Sequence, residues 1–149
     1  MNNITADQSS IKRYVVKDEW KDFEVTLEVN HNRLTPEIAT QINEFWGGWD
    51  DRLIAESSGD VVKTTIRLFG LRMIHMMLSQ GGAFFGPNDK SPLFDEHPGK
   101  HWSSDLQNEE GWGGTGDDPY GWCGIRVVAA DIDTPNFEDL VLTAVANDY

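Results

Sequence analysis

Phe23-Glu24-Val25-Thr26-Leu27-Glu28-Val29 alternates apolar and polar side chains without a break. Successive side chains of a strand point to opposite faces, so Phe23, Val25, Leu27 and Val29 make one apolar face and Glu24, Thr26 and Glu28 a polar one. Seven residues of period two specify a half-buried strand on an antiparallel sheet. Upstream, Ile11 to Val16 contains Tyr14, Val15 and Val16, which also suit a strand. The polar link Lys17-Asp18-Glu19-Trp20-Lys21-Asp22 is short enough to join the two as a hairpin.

Downstream the period changes. Leu34-Thr35-Pro36-Glu37 opens a helix: Thr35 caps it, Pro36 suits the first helical position, and Glu37 complements the positive end. Ile38, Ile42, Phe45, Trp49 and Leu53 form its apolar stripe, interrupted at Gly47-Gly48. Two glycines cost about 2 kcal/mol of helix propensity, so a kink or break is expected there. Asp60 caps a second and longer helix over Val61–Gln80, closed by Gly81-Gly82. Its stripe is Val62, Ile66, Phe69, Met73 and Met77, widened by Leu71, Ile74 and Leu78, so it should be the most buried helix. His75 in this apolar setting reads as a hydrogen-bonded packing residue, and the methionines as core filler.

Residues 83–124 lose the period and gain Gly, Pro, Asp, Asn and Ser, which reads as a long irregular loop. Its rings, Phe84, Phe85, Phe94, Trp102, Trp112, Tyr120 and Trp122, argue against plain disorder. Ile125 to Ala130 then suits a buried strand, Asp131 to Asn136 a turn, and Asp139 to Val145 a last strand. The expected order is β-β-α-α-loop-β-β. It describes an α+β domain, with a four-stranded antiparallel sheet and two helices packed on one face. One domain spans residues 11–149, with residues 83–124 as a loop insertion and residues 1–10 as a disordered lead-in.

The chain has 149 residues and a formal net charge of −13, from 12 basic and 25 acidic side chains. That balance disfavours direct nucleic-acid binding, which needs cations for the phosphates. Residues 59–83 are the only positive segment, at +2, and residues 84–124 the most negative, at −6. No run approaches a membrane span, and the polar start is unlike a signal peptide, so a cytoplasmic protein is expected. The single cysteine, Cys123, excludes an internal disulfide and reads as a packed thiol.

Catalytic motifs are sparse. His97 and His101 stand four apart, with Asp105 beyond, but Pro98-Gly99 between them speaks against the helix that would aim both at a metal. Asp131, Asp133, Glu138 and Asp139 lack the glycine and spacing of a calcium loop. Gly113-Gly114-Thr115-Gly116 lacks the lysine of a phosphate loop. Neither a metal nor a cofactor is therefore assigned, nor any catalytic residue. The acids and rings of the loop instead suit a docking surface, since rings supply contact energy and acids supply orientation. Its candidate partner-binding residues are Asp95, Glu96, Trp102, Asp105, Glu109, Glu110, Trp112, Asp117, Asp118 and Tyr120.

Lys12 to Val29, Leu34-Thr35-Pro36-Glu37-Ile38-Ala39, Gln41 to Trp46, Ile66-Arg67-Leu68-Phe69-Gly70 and Gly81-Gly82 together resemble a small acidic protein family of unknown function. That family is found in bacterial chromosomes and mobile elements, phages included. The resemblance covers the first 85 or so residues and the final hairpin; the acidic loop is expanded here. It implies no catalytic residues, and its phage link implies counter-defence. The expected function is a non-enzymatic interaction module: a phage-borne inhibitor, of anti-CRISPR or nucleic-acid-mimic type, that blocks a basic nucleic-acid-binding complex of the host. One alternative is a small metal-dependent or hydrolytic enzyme built on His97 and His101. Another is an oligomeric scaffold, a homodimer for instance, with the loop at a subunit interface.

Overall fold

A computed structural model describes residues 10–48, 51–52, 59–91 and 95–146. The expected hairpin is present as β1 (Ile11–Asp18) and β2 (Phe23–Asn30), paired antiparallel with Tyr14 opposite Leu27 and Arg13 opposite Glu28. Helix α1 (Pro36–Phe45) starts as its sequence dictates, with Thr35 Oγ1 accepting from the Ile38 N–H at 3.3 Å. It ends before the glycine pair. There Arg52 replaces the missing intrahelical donors, giving Nη2 to the carbonyls of Asn43 and Trp46 and Nη1 to that of Gly47. Trp49 and Leu53 of the expected stripe lie outside the described residues, as do residues 1–9 of the lead-in.

Helix α2 (Val61–Ser79) is capped by Asp60, whose Oδ1 accepts from Val62 N and Lys63 N at 2.9 and 3.1 Å. Ile66, Phe69, Met73 and Met77 are buried from it against Val25, Leu27 and Val29 of β2. Helix α1 packs on α2, where Thr65 Oγ1 donates to the Ala39 carbonyl. Where α2 passes β1, a Cβ on Gly70 would stand 2.6 Å from the Val16 Cβ, so the close approach needs glycine. Two expectations for α2 are corrected. His75 and Leu71 are exposed, Leu71 at 46%. Lys63, Arg67, Leu71, His75 and Ser79 recur every four residues and make one solvent-facing row, so a long run of apolar residues still left one side wet.

The four-stranded antiparallel sheet has the order β1-β2-β4-β3, with β3 (Ala83–Phe85) and β4 (Ile125–Ile132). Its fourth strand is therefore Ala83–Phe85, inside the expected loop, and the expected last strand Asp139–Val145 does not form. Ala83–Phe85 already occupies the edge beside Ala130–Ile132, and Pro135 comes directly after Thr134, which is tied to Gly81. After a short 3-10 turn (Phe137–Asp139), residues 140–146 run irregular and exposed.

A third helix, α3 (Pro98–Gln107), also replaces part of the expected loop. Pro98 is not a breaker here because it occupies the first helical position, where its missing N–H has no intrahelical role. The helix does a job that β3 is too short to do. Ahead of Ala130 the outer edge of β4 has no strand beside it among the described residues, and α3 covers it: Ser103 Oγ accepts from Val127 N at 2.8 Å, and Gln107 Nε2 donates to Ile125 O at 2.8 Å. Among the described residues, no helix is long and apolar enough to cross a membrane.

Candidate partner-binding face

The helices leave the other face of the sheet open. Glu28, on the polar side of β2, sits at its centre and is only 8% exposed. Register places Arg13 on one flank and Arg126 on the other. Arg13 Nε donates to Oε2 at 3.0 Å; Arg126 Nη2 and Nε donate to Oε1 at 2.6 and 3.0 Å. Tyr120 descends from the loop and donates its hydroxyl to Oε1 at 2.7 Å, with the Arg126 guanidinium 4.8 Å from its ring centre. Burial alone would raise the Glu28 carboxyl, but the Tyr120 hydroxyl and the two guanidiniums outweigh it and hold the group below its ordinary value. Burial and the bond to Glu28 push the Tyr120 phenol up to about 12. The cluster is thus a charged clasp that pins the loop to the sheet.

Around the clasp the loop is well fixed. Arg33 pairs with Asp118 at 2.9 Å, and Asp118 Oδ1 accepts from Tyr120 N at 2.8 Å. A cleft of about 680 Å³ opens between α3 and residues 115–119, with Arg13 and Arg126 on its sheet side, Glu96, Lys100 and Ser104 on the helix side, and Asp117 on the loop side. Its lining mixes both charge signs.

The candidate residues divide clearly. Asp95, Glu96, Asp105, Glu109, Glu110 and Asp117 are exposed. Two carry surface ion pairs, Asp95 with Lys90 at 3.5 Å and Glu96 with Lys100 at 3.1 Å, and Asp105 Oδ2 lies 3.2 Å from His101 Nε2. Trp102 is half-buried and packs on the core. Asp118 and Tyr120 serve the clasp. Trp112 is a correction: it is fully buried, edge-on to Phe69 at 5.2 Å, and presents nothing to a partner. Its aperiodic Gly-rich surroundings hid it among surface residues. Glu28, Arg13 and Arg126 were missed because only strand register brings them together. The hairpin alone could have paired Arg13 with Glu28.

The histidine pair does not converge on an ion. His97 is the N-cap of α3: Nδ1 accepts from Gly99 N at 3.0 Å, which leaves Nε2 to donate to Gly86 O at 2.8 Å. Both ring nitrogens are engaged, while His101 turns to Asp105. Among the described residues no three His, Cys, Asp or Glu side chains gather as a metal site would need. Cys123 is buried, and burial raises its thiol to about 12, so it is a packed and unreactive group.

The fold and face define an α+β domain whose loop, bordered by exposed acids, is clasped through Tyr120 to the sheet face that α1 and α2 leave uncovered. By sequence, residues 24–142 match the family described as Protein of unknown function (DUF2528), and the chain belongs to that family. No curated protein and no solved structure matches it.

Proposed function

We propose that this protein is a non-enzymatic interaction module whose acidic α3–loop face docks on a basic partner. The carrying observation is that Asp95, Glu96, Asp105, Glu109, Glu110 and Asp117 are all exposed on a segment anchored by Ser103, Gln107 and the Glu28 clasp. A preorganised acidic surface loses little freedom on binding. The ion pairs within it are exposed and worth about 0.2–1 kcal/mol each, so a partner's cations exchange for them readily. Trp122, 36% exposed, adds apolar contact area. The partner class that fits is the nucleic-acid-binding surface of a basic host complex, with a CRISPR effector as the defence example; the protein inhibits by occupying the channel that a polyanion would fill.

The test is displacement of a labelled duplex from such complexes across a salt series. Displacement should be strong at low salt and fade steeply as ionic strength rises. Failure to displace or bind any basic complex at low salt overturns the proposal.

A further inference from the structure

The last described residues have an unusually apolar composition for a solvated tail. Pro135 to Ala146 are exposed throughout. They include Phe137 at 88%, Leu140 at 64%, Val141 at 88%, Leu142 at 98% and Val145 at 82%. Five large apolar groups within nine residues, all in water, form a patch that needs a cover. The segment also has strand-forming composition, yet it forms no strand pair with any of the described residues.

A matching surface lies elsewhere on the molecule. Between β1 and α2 runs a groove of about 450 Å³, walled by Val16, Phe23, Leu71, Ile74 and Leu78. Lys17, Lys21, Arg52 and Arg67 also line it, and among the described residues Asp18 is the one acid there. Above the groove, β1 is an end strand of the sheet and, among the described residues, pairs with β2 alone. The tail carries the complementary charge: residues 133–146 contain Asp133, Glu138 and Asp139 and no basic side chain.

We propose that the Asp139–Val145 segment of a second copy of this chain lies along the open edge of β1, with alternate apolar side chains in the β1–α2 groove, and that two copies exchange tails reciprocally. Strand addition supplies backbone hydrogen bonds at the edge, and the groove selects the side chains. The exchange is between chains for a topological reason. Ile132 ends β4 at the same end of the sheet as the β1–β2 turn, because Asp131 stands opposite Glu24. To reach the outer edge of its own β1, the tail would have to cross that turn, and connections rarely cross at one end of a sheet. Pro135 and the Thr134–Gly81 bond fix the exit of the tail near the far edge. Reciprocal exchange of an identical segment gives a closed two-fold dimer. This surface is separate from the acidic α3–loop face, so either proposal stands without the other.

The experiment is light scattering coupled to size exclusion on the full chain and on two variants. Leu142→Asp spoils the tail, and Leu71→Glu spoils the groove at an exposed position that folding tolerates. The expected results are a wild-type dimer and two monomeric variants with unchanged circular dichroism. Mixing the two variants should restore a dimer, because one intact tail then meets one intact groove. A wild-type monomer overturns the proposal, and so does a dimer that survives Leu142→Asp. Two monomeric variants that stay monomeric when mixed show that tail and groove do not meet in the dimer and also overturn it.

Discussion

Replacing Tyr120 by Phe removes one hydroxyl and almost no volume, and so isolates the bond that closes the Glu28 clasp. The lost bond is 2.7 Å long and ends on an ionised carboxylate that is largely withdrawn from water. Hydrogen bonds to charged groups contribute about 1.5–3 kcal/mol, and neutral ones about 0.5–1.5. Because Arg13 and Arg126 remain to serve Glu28, a loss near 2 kcal/mol is expected at pH 7. With a urea slope of about 2 kcal/mol/M, that is a fall of about 1 M in the unfolding midpoint. The pH dependence follows from the lowered Glu28 pKa. A carboxyl held below its unfolded value stabilises the fold above that value, and the stability disappears as pH falls through the folded value. At a pH below the folded value of Glu28, therefore, the gap between the two proteins should shrink to about 1 kcal/mol or less. Urea titrations at pH 7 and at that acid pH measure both numbers. The phenol titration gives a second check, since the group ionising at about 12 should vanish in the variant. A gap that is the same at both pH values, or below 0.3 kcal/mol (about a fifth of the low end for a charged bond), refutes the clasp.

Other consequences are simpler. Gly70→Ala should destabilise by about 1–3 kcal/mol in thermal or urea unfolding, although alanine is the better helix former by about 1 kcal/mol, because the new methyl meets Val16. Ser103→Ala should lose about 1–3 kcal/mol and speed hydrogen exchange at Val127, whose N–H is left buried without an acceptor. Asp60→Ala should lose about 1 kcal/mol through the N-cap of α2. Cys123 should resist a thiol reagent in the native protein and react fully in denaturant.

Much of the architecture was legible because hydrophobic period is a strong local signal. β2 and α2 announce themselves through Phe23–Val29 and through Asp60 followed by nineteen helical residues. The failures have specific causes. Pro98 reads as a breaker unless its place at the helix start is known, and that place depends on His97 capping the helix with its ring. Asp139–Val145 has a strand's composition, but composition does not say whether an edge is vacant. The apolar neighbours of His75 suggest the interior, whereas the four-residue row from Lys63 to Ser79 sets its side. The acidic face was visible as charge. The clasp that holds it was not, because Glu28, Tyr120 and Arg126 are up to 98 residues apart in sequence.

Charge reversal on the acidic face gives the most direct trial of the proposed function. Glu109→Lys, Glu110→Lys and Asp117→Lys change exposed residues that hold no clasp bond, so the triple variant should unfold like the wild type. Tested against a basic complex that the wild type binds, the variant should lose at least tenfold in affinity at low salt and fail to displace nucleic acid. Undiminished binding by a folded triple variant would contradict the account.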